Sequence, residues 1–399
     1  MEEKVFIKLK HHTYIAADNI LSPLGFTSEE NFEQLKKMVT GVQSVPAGKY
    51  ASEPFHAAAI PDEMLEKAFR ELNTTDAYTR LEKLIILSVS RALYQNKSID
   101  VKDKKTLIIL CTTKGNVDLL AAPEPPPFDA KRIFLWETAR IIQQHFHSLH
   151  LPLVVSNACI SGVLGIIIAK RLLESAAYEN IIVCGVDILT EFVVSGFQSF
   201  KAISSTIAKP YDESRDGISL GEGCGTLILT NQKNRIKPYA APVLVCGGAT
   251  SNDANHISGP SRTGDGLLLA IEKTMMDSGM FPQMVDYISG HGTATLFNDE
   301  MEALAITDAK LANVPMNSLK GYFGHTLGAA GVIESIMGIH SLQENTLIGT
   351  YGFNKLGVSK PLNIIKTTAA KSLSTCLKTA AGFGGCNAAV LFQKQNSVQ

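Results

Sequence analysis

A Gly-rich segment that feeds an apolar strand occurs twice in this chain, and that repetition constrains the fold more than any other feature. It reads GEGCGTLIL at 221–229 and GFGGCNAAVLF at 382–392. Ahead of each lies an apolar strand pattern, a reactive residue and a helix of small and apolar residues: LVVSNACISGVLGIIIAK from Leu153 and VPMNSLKGYFGHTLGAAGVIES from Val314. The two halves read as copies of one unit, with chance similarity of Gly-rich strand starts as the alternative. The polar, Pro-bearing stretch NQKNRIKPYAAP at 231–242 marks the junction, which divides the chain into 1–236 and 237–399.

Within each half, short β-branched runs alternate with longer periodic stretches. Thr106–Cys111, 153–156 and 181–184 read as strands, and Ser161–Glu174 reads as a helix, so the fold class is layered α/β. The 161–174 stretch is apolar on nearly every face of its first turns, which places it at the centre of the molecule. AAPEPPPF at 121–128 holds four prolines in eight residues and reads as a loop or rigid connector.

Composition narrows the function. A chain of 399 residues with 45% hydrophobic content can bury a large core. Thirty-seven Lys and Arg against 38 Asp and Glu give a net charge of −1, so no global field favours nucleic acid or an anionic membrane. The chain has no apolar run of the roughly 18 residues that suggest a membrane span. With acidic residues at its start, it reads as cytoplasmic. Seven cysteines without CxxC spacing suggest neither a disulfide framework nor a zinc site, and no metal is expected.

Cys159 sits in SNACISG, where a strand ends and a helix begins about two residues later. A thiol there faces the positive end of a helix dipole, which favours the thiolate and makes a nucleophile; a buried structural cysteine is the alternative. His291 lies in SGHGTATLFND behind the strand-like 285–288, between two glycines that allow close approach of a ligand. A hydrogen-bonded loop histidine is its plainer reading. His325, in KGYFGHTLGAAG, stands before a helix of small residues and is expected to stay neutral and donate from Nε2. Lys320, five residues earlier, is either a solvated loop cation or a partner of the site.

Together these segments resemble the β-ketoacyl-acyl-carrier-protein synthases I and II of the thiolase-like superfamily. The resemblance runs from about Pro152 to the C-terminus and is carried by NAC around Cys159, PYDESRDGISLGEGCG at 210–225, SNDANHISGP at 251–260, HGTATLFNDEME at 291–302, NSLKGYFGHTLGAAG at 317–331 and GFGGCN at 382–387. It implies a duplicated α/β fold in five layers, α/β/α/β/α. The second histidine, His325, sets the chain apart from the Cys-His-Asn enzymes of the synthase III type and from thiolases, which use a second cysteine. Departures gather in the first 150 residues, which carry the proline run and the only tryptophan, Trp136; in relatives this part shapes the acyl pocket and the dimer interface.

By that resemblance Cys159 accepts an acyl group from acyl carrier protein (ACP), and the N–H groups of Cys159 and Phe383 form the oxyanion hole. His291 and His325 then stabilise the enolate left when malonyl-ACP loses CO2. Lys320 and Glu302 are implied as a charge pair that orients the histidines, with a structural ion pair as the alternative. Thr293 and Thr295 are implied to bind the phosphopantetheine amides or else to serve a plain turn. His256 matches a family position and is taken as structural. The resemblance implies no metal or soluble cofactor, and partners in the form of acyl-ACP, malonyl-ACP and a second subunit, the chain being a homodimer or half of a heterodimer. Three functions stay open: a fatty-acid-type elongating synthase, a specialised polyketide or aryl-polyene pigment synthase, and a non-catalytic chain-length-factor-like subunit.

Overall fold

The structure, a computed structural model, describes residues 11–121, 128–236, 241–254 and 259–395. Most of the proline run, part of the expected junction and His256 lie outside the described residues. In chain order the first half contributes β1 (Tyr14–Leu21), β2 (Thr106–Cys111), β3 (Leu153–Val155), β4 (Asn180–Asp187) and β5 (Gly223–Thr230). The second half contributes β6 (Val243–Asn252), β7 (Tyr287–Ser289), β8 (Met316–Asn317), β9 (Thr375–Gly382) and β10 (Cys386–Lys394).

The duplication is visible in the strand order. The first half pairs as β1-β5-β4-β2-β3 and the second as β6-β10-β9-β7-β8, each with two antiparallel pairings followed by two parallel ones. Equivalent strands therefore hold equivalent places. The halves meet edge to edge where Tyr14 of β1 pairs with Leu244 of β6. The first strand begins at Tyr14, within the segment where the sequence departs from its relatives.

Seven helices complete the layers: α1 (Arg80–Gln95), α2 (Leu135–Phe146), α3 (Ser161–Glu174), α4 (Glu191–Ser199), α5 (Asp265–Ser278), α6 (Leu296–Asp308) and α7 (Ala330–Glu344). α1 starts in a capping box, in which Thr79 accepts from the Glu82 amide and the Glu82 carboxylate accepts from Thr79 N–H. With α2 it covers the outer face of the first half, while α5 and α6 cover that of the second. α3 and α7 fill the middle layer, packed against both halves. This is the five-layered arrangement. The run Ile166–Ile167–Ile168 would suit a strand on intrinsic preference, yet burial of Ile166 and Ile167 against the sheets lets packing override it. The core expectation for α3 holds, and α7 is buried from Ala330 through Leu342.

The two central helices cross at glycines. A Cβ on Gly162 would lie 2.7 Å from the Val332 amide nitrogen, and one on Gly331 would lie 2.4 Å from that of Val163. Only hydrogen at both positions lets the backbones approach so closely. This contact brings together the segments that precede α3 and α7, which carry Cys159 and His325.

Candidate active site

Cys159, His291 and His325 all follow the carboxyl ends of parallel strands, where α/β sheets bind their ligands. Cys159 follows β3 and precedes α3, while His325 follows β8 and precedes α7. They occupy equivalent places in the two copies. His291 follows β7. The turn at Cys159 is closed by Ser161, whose Oγ accepts from Asn157 N–H at 2.8 Å and donates to the Ala158 carbonyl at 2.6 Å. Ala158 has φ +44°, a left-handed conformation that costs a non-glycine residue about 1–2 kcal/mol and is held by its surroundings. A Cβ on Gly382 would lie 3.0 Å from the Cys159 amide nitrogen, so the end of β9 runs against the nucleophile turn and delivers Phe383 beside it.

The charge state of the thiol differs from the expectation. Burial, with Cys386 nearby, pushes the Cys159 thiol up to about 12, and the positive charges of Lys320 and Lys114 only partly oppose this. Desolvation of a thiolate outweighs the helix dipole here. At neutral pH Cys159 is therefore held as the thiol.

The two imidazoles meet edge to face with centroids 5.3 Å apart, and both side chains are buried. Nδ1 of each is buried without a hydrogen-bond partner among the described residues. Burial, then Lys320 and Lys378, hold both well below the usual histidine range, with His325 adding to the effect on His291. His325 is thus neutral, but through desolvation and two nearby cations. The glycines beside His291 also have a different cause from the one expected. A Cβ on Gly290 or Gly292 would strike the Tyr211 hydroxyl at 2.3 or 2.7 Å, so the glycines accommodate Tyr211 and not a ligand.

The charge pair behind the histidines is rearranged relative to the sequence expectation. Lys320 is paired with Glu334, and its Nζ also donates to the His291 carbonyl at 2.9 Å. Glu302 accepts from His291 N–H and Gly292 N–H at 2.8 Å, from the Tyr211 hydroxyl at 2.8 Å and from Thr379 Oγ1 at 2.6 Å. It therefore fixes His291 through the backbone, without Lys320. Lys378, on β9, forms an ion pair with Glu334 at 2.6 Å and donates to the Ser289 and Gly290 carbonyls at 3.2 and 3.0 Å.

A cavity of about 350 Å³ gathers Cys159, His291, His325, Thr293, Thr295 and Phe383 on its walls, while Lys320 and Glu302 stand behind them. The Thr293 and Thr295 hydroxyls lie 2.9 Å apart, and Asp299 accepts from the Thr293 amide at 2.9 Å. Phe383 is 39% exposed and packs between Phe197, stacked at 5.6 Å, and Phe200, edge-on at 5.6 Å. Nucleophile, neutral imidazole pair and aromatic mouth thus share one space built from both halves.

Two family models fit this organisation half by half: the β-ketoacyl synthase N-terminal domain matches residues 135–235 and the C-terminal domain matches 243–354. The chain belongs to the β-ketoacyl synthase family. A putative mitochondrial 3-oxoacyl-[acyl-carrier-protein] synthase of Schizosaccharomyces pombe is 27% identical over 94% of this chain and 92% of its own length. The mitochondrial 3-oxoacyl-[acyl-carrier-protein] synthase of Arabidopsis thaliana is 32% identical, but over 59% of this chain and 54% of its own length. Among solved structures, a ketosynthase in complex with its chain length factor from Xenorhabdus doucetiae superposes with a TM-score of 0.81 at 23% identity, covering 96% of this chain and 98% of that one. A β-ketoacyl synthase from Burkholderia phymatum gives 0.85 at 21%, covering 97% and 100%. At those identities the structures show a shared fold, and it extends over the first 150 residues that the sequence motifs left out.

Sequence reasoning missed Glu334, Lys378, Asp299 and Tyr211. Two of them leave a signal. Glu334 is the only charge in the first turns of AGVIESIMGIH, and Lys378 is the only one in TCLKTAAG. A lone charge in an element otherwise read as core implies a buried partner.

Proposed function

We propose that this chain is a condensing enzyme, a 3-oxoacyl-ACP synthase that joins a Cys159-bound acyl group to the carbon left by decarboxylation of malonyl-ACP. The observation that carries this is the single cavity that places Cys159 with two neutral histidines. In the first step the Sγ of Cys159 attacks the acyl thioester and its proton passes to a neutral imidazole on the same wall. The N–H groups of Cys159 and Phe383 hold the tetrahedral oxyanion until the phosphopantetheine sulfur departs as a thiol, taking back the proton from that imidazole and leaving both histidines neutral for the second step. Malonyl-ACP then enters, with Thr293 and Thr295 on the pantetheine amides. Its carboxyl bond breaks, CO2 leaves, and the enolate oxygen is held by Nε2–H of His291 and His325. The enolate carbon attacks the acyl-Cys159 carbonyl, and the sulfur leaves to give the β-ketoacyl thioester.

Metal and soluble cofactors have no place in this scheme, because the thioester and the released CO2 supply the driving chemistry. Among the described residues no helix is long and apolar enough to cross a membrane, in keeping with a cytoplasmic enzyme that meets carrier proteins. The same reading divides the chain at 236/237 into a nucleophile half and a histidine half, and pairs two such chains into a homodimer. An acyl-ACP condensation assay on the protein purified alone tests it: β-ketoacyl-ACP should form and acyl mass should appear on Cys159. Condensation that arises only after a second, different subunit is added would favour the chain-length-factor-like reading instead.

A further inference from the structure

Four buried side chains of full charge and two imidazoles form one cluster behind the cavity. Glu302 and Glu334 supply two carboxylates, Lys320 and Lys378 two ammonium groups, and each of the four is at most 2% exposed. Glu302 accepts two hydrogen bonds on each oxygen, the pattern of an ionised carboxylate. With both carboxylates and both ammonium groups charged the cluster sums to zero while both histidines are neutral, although burial holds Lys378 below the usual lysine range and Glu334 only partly opposes this. Asp299, farther out, faces Arg215 at 3.8 Å, while buried Asp187 accepts from Gly328 N–H on the side of His325.

Lys320 alone would leave one carboxylate unmatched beside two imidazoles. An uncompensated buried charge is costly, and the cheapest relief is protonation of the nearest base. Lys378 supplies the second match, and its bonds to the Ser289 and Gly290 carbonyls anchor the strand end that carries His291. We propose that Lys378 is a positioning residue for the imidazole pair, balancing the second carboxylate of the cluster and fixing the approach to His291. After burial and Lys320, the positive charge of Lys378 adds to what holds both histidines below the usual range. The inference rests on the condensing function only for its kinetic consequence.

The test follows the histidine ring carbons by NMR between pH 5 and 8.5, with acyl-enzyme formation measured on the same samples. In the wild type neither His291 nor His325 titrates in that range. In Lys378→Met at least one does, with a midpoint near neutrality, and acyl transfer at pH 6 falls about tenfold relative to wild type while matching it at pH 8.5, because a protonated imidazole cannot take the thiol proton. In Lys378→Met/Glu334→Gln the charge sum returns to zero and the histidines stop titrating, which a purely structural lysine would not produce. Should Lys378→Met fail to fold, Lys378→Gln, which also removes the charge but keeps a donor, takes its place with the same expected titration. Histidines that stay neutral in Lys378→Met, or that titrate in the double variant, overturn the proposal. If the wild type forms no acyl-enzyme, the condensing function fails while the NMR arm still judges Lys378.

Discussion

Burial opposes the charge that Cys159 needs for the nucleophilic role proposed for it. Its thiol is pushed up to about 12, so the protonated form holds at neutral pH and thiolate appears only as pH rises toward that value. Alkylation by iodoacetamide should therefore rise about tenfold per pH unit from pH 7 to 10, since the thiolate is the reacting species. Peptide mapping should place a label that needs the cavity on Cys159, since Cys111, Cys184, Cys224 and Cys376 are wholly buried and the partly exposed Cys246 lies outside the cavity, where an active-site ligand would not protect it. A rate flat across that range would mean a thiolate at rest. The position of Cys159 was legible in SNACISG, because strand, small residues and helix follow one another in the chain. Its charge state was not, since desolvation depends on residues far away in sequence. The same limit explains Lys320. Glu302 and Glu334 both lie within reach of its motif, and only the fold decides that Glu334 takes the ammonium while Glu302 takes the His291 amide.

At the level of elements, the site depends on how closely α3 and α7 approach. Gly331→Ala would set a methyl 2.4 Å from the Val163 amide nitrogen, a contact that only a shift of one helix can relieve. Overpacking of this kind typically costs about 1–3 kcal/mol. The urea midpoint should fall accordingly, and condensation should fall further than stability, because the shift moves Cys159 relative to His325. Unchanged midpoint and activity would show that the crossing is not tight. Apolar periodicity gave α3 and β2 to their bounds and placed β3, β4 and β7 approximately, while β1, α1, α2, α5 and α6 were not read from it. The pairing order 1-5-4-2-3 was not legible either, because a repeat in sequence says that two units match without saying how either is wound.

In the whole molecule, Cys159 comes from before the middle of the chain and His291 and His325 from after it, and all three line one cavity. β3 lies at the outer edge of its sheet, and Leu149, Leu151 and Leu153 around it are 63%, 52% and 40% exposed, with Phe134 and Trp136 stacked on each other nearby in sequence. An edge of this composition invites a second copy. Light scattering at assay concentration should give a dimer, and Leu151→Asp/Leu153→Asp should shift it toward monomer with loss of activity; an active wild-type monomer would contradict this. In the mechanism proposed, the imidazole pair stabilises an enolate independently of Cys159. Cys159→Gln removes the acyl acceptor but leaves the cavity and both histidines, so it should still release CO2 from malonyl-ACP while making no condensation product. Adding His325→Ala removes one donor to the developing enolate, a loss worth roughly 10²–10³ in rate. The deciding measurement is acetyl-ACP formation from malonyl-ACP by these two variants. The account predicts a fall of that size on removing His325, and equal rates in the two would contradict it.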